Sequence, residues 1–308
     1  MRFRPAVPIL VLALATGAGA QAPSAGPLVL LVPASTRAIP LGNAWVTGRD
    51  QDVVFYNPAQ LINARSDFAV TMARYGGASL FGSAAWVFSG GPASMTLGWG
   101  VQALEFHPNS TDAYPYVPSQ LMNTGSGDGL SLLTAVSGAM VYKTFRIGLT
   151  GKYATDRVAY DVGTAPARHD AYLGDIGVSR TLFRGIAGLT LQNVSLTHVN
   201  GARHVDTPRQ FALGWSRTLN TDQLDFAFGG QVTARDKWIA PGAGIEVGYG
   251  WIEGYSVALR AGARRPETNA EKPVAVGATI NADRLTLEYA LQIFDGGRTA
   301  NRMTFRWR

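Results

Sequence analysis

Apolar side chains fall on every second residue of this sequence, in segment after segment. After residue 20 no uninterrupted apolar run approaches the roughly eighteen residues that a membrane-crossing helix needs. Phe145, Ile147, Leu149 and Tyr153 alternate with Arg146, Gly148, Thr150 and Lys152. Phe211, Leu213 and Trp215 alternate with Ala212, Gly214 and Ser216, and Leu224, Phe226 and Phe228 with Asp225, Ala227 and Gly229. The pattern recurs at Leu285, Leu287, Tyr289 and Leu291, and at Met303, Phe305 and Trp307. A period of two places one set of side chains on each face of a strand. With 46% hydrophobic residues, 16% charged residues and 36 glycines, much apolar surface has to be placed. A closed barrel places it by turning the apolar faces to lipid.

Dividing the chain at turn residues predicts about fourteen strands: 67–75, 78–89, 93–104, 131–142, 144–154, 170–181, 186–193, 209–218, 223–233, 242–250, 254–263, 272–280, 284–292 and 301–308. Connections after even strands are short, as at Lys143, Arg184-Gly185 and Ala282-Asp283. Those after odd strands are mostly long, as at 105–130, 155–169 and 194–208. Short periplasmic turns alternating with longer outer loops are the habit of outer-membrane barrels, and put both termini in the periplasm. Two aromatic girdles are expected. One comprises Trp86, Tyr142, Phe145, Trp215, Tyr249, Trp251, Tyr255 and Trp307 at the short-turn end. The other comprises Tyr75, Phe81, Tyr153, Tyr172, Phe211 and Trp238 at the loop end.

The start of the chain reads as a signal peptide, 1–20. Arg2 and Arg4 precede the apolar run from Ile9 to Ala15, and Ala18-Gly19-Ala20 supplies small residues for cleavage. Setting aside Arg2 and Arg4, 25 basic residues remain against 21 acidic ones, a net charge of +4. That is too mild and scattered for a nucleic-acid partner. The absence of cysteine excludes disulfides, thiolate metal sites and cysteine nucleophiles. His107, His169, His198 and His204 fall in predicted outer loops with no metal-ligand spacing. Gly242-x-Gly244 reads as a turn leading into a strand, without the helix that a dinucleotide site needs. No enzymatic activity, metal or cofactor is expected.

Residues 28–66 do not alternate. Pro33, Pro40, Gly42, Gly48 and Pro58 break any membrane strand there, and Asn57-Pro58-Ala59 is a helix start, giving a short helix over 58–64. The run Ser35-Thr36-Arg37-Ala38, then Leu41-Gly42-Asn43-Ala44-Trp45-Val46, then Asp52 and Phe55-Tyr56-Asn57-Pro58-Ala59, resembles the N-terminal signature of PorV/PorQ-type proteins in the FadL-like superfamily. Leu191-Gln192-Asn193, Gln210-Phe211-Ala212-Leu213-Gly214, and Leu287-Glu288-Tyr289 with Asp295-Gly296 echo it further along. Gln60 departs from the glycine that often follows Asn-Pro-Ala, and the chain ends Trp307-Arg308 instead of on an aromatic.

The resemblance implies a fourteen-stranded barrel with N-terminal residues as a luminal plug, the plug motif being Arg37, Gly42, Asp52, Asn57, Pro58 and Ala59. The expected organisation is a signal peptide at 1–20, a plug segment at 21–66 and a transmembrane antiparallel β-barrel at 67–308. The resemblance also implies an accessory of protein export or surface presentation. The rival expectations are a FadL-like passive channel for small hydrophobic molecules and a structural surface barrel. Expected partners are outer-membrane lipid, the barrel-assembly machinery, and secreted proteins or small hydrophobic ligands.

Arg146, Lys152, Asp175, Asp225, Gln231, Glu246, Arg260, Glu288 and Arg306 lie on the polar phase and are predicted to face the lumen. A guanidinium in the lumen needs a carboxylate, so Arg37 is expected to meet Glu246, Glu288, Asp175 or Asp225. Leu213, Trp215, Phe226, Phe228, Leu287 and Tyr289 are predicted to face lipid.

Overall fold

The computed structural model describes residues 27–65, 67–75, 79–90, 95–107, 126–160, 167–196, 207–235, 238–268 and 270–307. Fourteen antiparallel strands close into one barrel, each paired with its neighbours in sequence and β1 with β14. They are β1 Phe68–Tyr75, β2 Ser79–Ser89, β3 Thr96–Phe106, β4 Ser126–Tyr142, β5 Phe145–Tyr160, β6 Ala167–Leu182 and β7 Gly185–Ser195. The circuit continues with β8 Gln210–Asn220, β9 Leu224–Arg235, β10 Trp238–Ile252, β11 Tyr255–Arg264, β12 Glu271–Ala282, β13 Leu285–Phe294 and β14 Thr299–Trp307. Closure leaves no strand edge unpaired against lipid, which is why strands can cross a membrane in this form.

Burial follows the two-residue period. On β1 and β14 exposed and buried residues alternate without a break. Apart from Arg74 and Asn301 the exposed set is apolar: Phe68, Val70 and Met72, then Met303, Phe305 and Trp307. Leu213, Phe228 and Tyr289 are exposed, and Trp215, Phe226 and Leu287 are half-buried on the same outward phase.

Several expectations are corrected. β4, β5 and β10 run to 17, 16 and 15 residues, beyond their predicted ends, and β6 to 16, with its start three residues earlier than read. The ladder between β5 and β6 continues through the polar stretch Thr155, Asp156 and Arg157, where pairing needs no apolar face, and β10 continues back through Pro241 to Trp238, paired with β9. His169 is therefore in a strand, and Gly242 and Gly244 lie within β10, not in a turn. The turn after β6 is Phe183-Arg184, both at positive φ (52° and 59°), one residue earlier than read. Tyr75, Phe81 and Trp238 are buried on the inward phase and leave the loop-end girdle. Their odd or even distance from the outward residues of the same strand decides this, not their place along it. His198 and His204 lie outside the described residues, as do 1–26.

Residues 27–65 form no strand. They make short 3-10 helices at Leu28–Leu31, Ile39–Leu41, Gln51–Phe55 and Pro58–Asn63, the last replacing the helix read over 58–64. Asn57 caps it, its side chain accepting from the Ala59 amide at 3.1 Å. The segment packs on inward faces around the circuit: Ile39–Leu41 against β10 to β13, Gln51–Phe55 against β1 to β4, and Pro58–Asn63 against β3 to β6. Inward glycines permit this approach. A Cβ at Gly148 would lie 2.4 Å from the Pro58 carbonyl carbon, and one at Gly177 would overlap the Asn57 carboxamide.

Candidate functional site

The polar phase of the strands meets the N-terminal segment in three ionic clusters. The first centres on Arg306 of β14. Its Nη2 donates to Asp52 at 2.7 Å, Glu288 at 3.0 Å and Asp50 at 3.2 Å, and its Nη1 to Gln51 at 2.5 Å. One guanidinium thus holds three buried carboxylates drawn from β13 and from the segment. Trp45 Nε1 donates to the other oxygen of Asp50 at 3.0 Å. Burial pushes the Asp50 carboxyl up to about 6; Arg306 pulls it down, and Asp52 and Glu288 push it up.

The second cluster is Arg37, Glu246 and Arg260. Arg37 donates to Glu246 from Nη2 at 2.6 Å and from Nε at 3.1 Å, and Arg260 of β11 donates to the same carboxylate. The guanidinium also stands 5.7 Å from the Trp45 ring. Burial works against the Arg37 charge, but Glu246, Glu288 and Asp50 outweigh it and hold its proton more tightly than usual.

The third lies toward the loop end. Lys152 sits 2.7 Å from Asp175 and donates to Asn193 at 3.1 Å, and the Asn193 amide donates to Asp175 at 2.8 Å. Gln192 and Asn193 form a bulge opposite Asp175, with Asn193 at φ 56°.

Further residues tie the segment down, among them Asp156, Ser131 and Arg302, which the sequence reading passed over. Gln192 donates to the carbonyls of Phe55, at 2.9 Å, and Tyr56. Gln231 accepts from the Val46 amide at 2.8 Å. Asp156 accepts from the Leu28 amide at 3.1 Å, and Ser131 from the Val29 amide at 3.0 Å. The Tyr56 hydroxyl accepts from the Ala34 and Ser35 amides and meets Asn43 Oδ1 at 2.8 Å; burial raises this phenol above its ordinary range. Arg302, only 1% exposed, donates to the Pro33 carbonyl and to the Tyr75 hydroxyl and lies 4.3 Å from the Phe81 ring. Arg302 shares the phase of Thr304 and Arg306, so the alternation itself was the signal for it.

Of the plug motif, Arg37 and Asp52 carry ion pairs, Asn57 the cap, and Pro58 and Ala59 the contact with Gly148. Gly42 has φ 66°, and a Cβ there would lie 2.4 Å from the Ala263 carbonyl oxygen. Arg146 and Asp225 are not brought into the clusters. Arg146 is half-buried near the short-turn end of β5, and Asp225 is exposed near that end of β9.

The space left over is uneven. A cavity of about 610 Å³ opens beside Arg37, Asp50, Glu246 and Arg306, reaching Ser256, Asn281 and Thr286 near the short turns. On the loop side two pockets hold about 40 and 50 Å³, one beside Gln192, Gln210 and Arg264, the other beside Lys152, Asn193 and Arg235. Among the described residues no three His, Asp or Glu side chains group as a metal site.

No family model and no curated protein matches this sequence. Solved structures do. The toluene transporter TodX of Pseudomonas putida aligns over 87% of this chain and 95% of its own, with a TM-score of 0.54 at 9% identity. The monoaromatic hydrocarbon channel CymD aligns over 92% and 97%, with a TM-score of 0.53 at 10% identity. The chain has the fold of an outer-membrane β-barrel. At these identities the likeness extends to the fold alone.

Proposed function

We propose that this chain is a plugged outer-membrane barrel that does not conduct solutes and serves as an accessory of protein export or surface presentation. In this reading residues 1–20 direct secretion, 21–66 form the plug and 67–308 the barrel. Both termini and the short turns face the periplasm. The observation that carries the reading is the filling of the loop side among the described residues: ionic clusters and backbone clamps stand beside pockets of about 40 and 50 Å³, with Gln192, Gln210, Arg264 and Glu267 in the lining of the first and Lys152, Asn193, Gln210 and Arg235 in that of the second. A passage for apolar molecules needs a concave, mostly apolar site. With conduction removed, what remains for work is the outer end, where β4, β5 and β6 extend beyond the shorter strands.

The rival reading, a passive channel for small hydrophobic molecules, is favoured by the fold shared with TodX and CymD. Two measurements on the full chain separate them. Proteoliposomes are expected to take up toluene no faster than empty vesicles. A photo-cross-linking residue in place of Tyr172, which is exposed on β6, is expected to capture secreted proteins in intact cells. Uptake of toluene that depends on the protein, with no such capture, overturns the export reading.

A further inference from the structure

Charge is divided by sector around the rim of short turns. The stretches 95–100, 137–149, 176–191 and 213–220, which bring β3 to β8 to this rim, contain no Asp or Glu. They carry Lys143, Arg146, Arg180, Arg184 and Arg217. The acids Asp222, Asp225, Glu253 and Asp283 lie in the opposite sector, from β8 to β13, and Asp67 stands before β1, outside the basic stretches.

Three of the basic residues are exposed on the outer side of the wall or its turns. Arg180 stands on the same outward phase of β6 as Tyr172 and Ile176, opposite Phe145 in register, its guanidinium 5.2 Å from that ring. Lys143 occupies the turn after β4 at φ 56°, with Nζ 5.4 Å from the Tyr142 ring. Arg184 follows Phe183, a residue 79% exposed. The turn is held in place: Trp215 Nε1 donates to the Leu182 carbonyl at 3.0 Å. None of the three cations forms an ion pair with a carboxylate among the described residues. Exposed apolar side chains continue from them along the wall at Met140, Leu149 and Ile176.

A cation at the interface rim of a barrel costs little to place there and is attracted to anionic lipid headgroups. Phosphate is the anion available there, and a guanidinium engages it through two parallel hydrogen bonds. Aromatic rings beside the cations suit the level of the headgroups. We propose that Lys143, Arg180 and Arg184 form a site for the phosphate of an anionic glycerophospholipid, whose acyl chains lie on the apolar wall of β4 to β6. The choice of glycerophospholipid over the phosphates of lipid A rests on the periplasmic placement of the short turns.

The test uses the full-length purified protein in detergent, titrated by native mass spectrometry with phosphatidylglycerol, phosphatidylethanolamine of the same chains, and lipid A. Phosphatidylglycerol is expected to bind about tenfold more tightly than phosphatidylethanolamine, in line with the attraction of a few interfacial cations. The triple variant Lys143→Gln, Arg180→Gln, Arg184→Gln loses that preference, whereas Arg284→Gln in the acidic sector keeps it. If the triple variant fails to fold by heat-modifiable gel mobility, Arg180→Gln alone serves, with a partial loss expected. Equal binding of the two phospholipids, or a preference that these variants retain, overturns the site. Stronger binding of lipid A through the same residues overturns the glycerophospholipid as its occupant. The orientation is checked separately with Thr144→Cys in this cysteine-free chain: labelling by an impermeant maleimide in intact cells refutes the periplasmic placement, and leaves a preference measured in detergent standing.

Discussion

Arg37 donates to both carboxylate oxygens of Glu246, at 2.6 and 3.1 Å, across 209 residues of sequence. A two-point contact between a segment that is not a strand and the inner face of β10 fixes where that segment sits as well as attracting it. Arg260 completes the site from β11. Removing Arg37 therefore leaves Glu246 partnered, but frees the segment at this point. The Arg37 side chain is 32% exposed and that of Glu246 12%, so water screens part of the interaction. Arg37→Ala is expected to lower stability by about 1–2 kcal/mol, below the range of a fully buried pair. Urea unfolding in lipid vesicles measures it; an unchanged midpoint rejects the latch.

Arg306→Ala should be more damaging, because Asp50, Asp52 and Glu288 all lose their shared cation in a buried setting. The expected cost is about 3–5 kcal/mol. Planar-bilayer recordings provide an independent readout: a loosened segment raises ion conductance above that of the parent protein.

The Asp50 carboxyl, raised by burial from 3.8 to about 6, gives the Arg306 cluster a pH dependence. The folded protein retains a proton that the unfolded chain has released between about pH 4 and 6. Stability on this account rises as pH falls from above 6 toward 4, and the penalty of the charged form is present above 6. Asp50→Asn should flatten that dependence and raise stability at pH 7.5. Unfolding midpoints of both proteins at pH 7.5 and 5 test the sign.

Gly42→Ala combines a left-handed backbone, φ 66°, with contacts of 2.4 and 2.6 Å to backbone atoms of Ala263 and Ala243. Neither strand can retreat without breaking its ladder. A loss of about 1–3 kcal/mol is expected, read as a lower unfolding temperature; a neutral result places the segment elsewhere.

Phe228 faces outward and packs on Trp215 with ring centroids 5.7 Å apart. Phe228→Arg should cost about 2–4 kcal/mol near the bilayer midplane. Unchanged folding stability in vesicles would contradict the lipid-facing register of β9.

What the sequence determined by itself was whatever depends on a local period. All fourteen strands, their apolar outer phase, and the inward phase of Glu246, Glu288 and Arg306 were legible, because side chains alternate on any strand whatever its partners. The same rule, applied strictly, would have turned Tyr75, Phe81 and Trp238 inward and brought in Arg302. Tertiary structure alone decided which charges meet. Arg306 joins β14 to Asp50 and Asp52 at the other end of the chain, and Arg37 selects Glu246 from four acids, because the curvature of the closed wall and the path of residues 27–65 across it set those distances. The lengths of β4 to β6 were hidden for a related reason. Beyond the membrane a strand is held by backbone pairing with its neighbour, which leaves no period in the side chains to read.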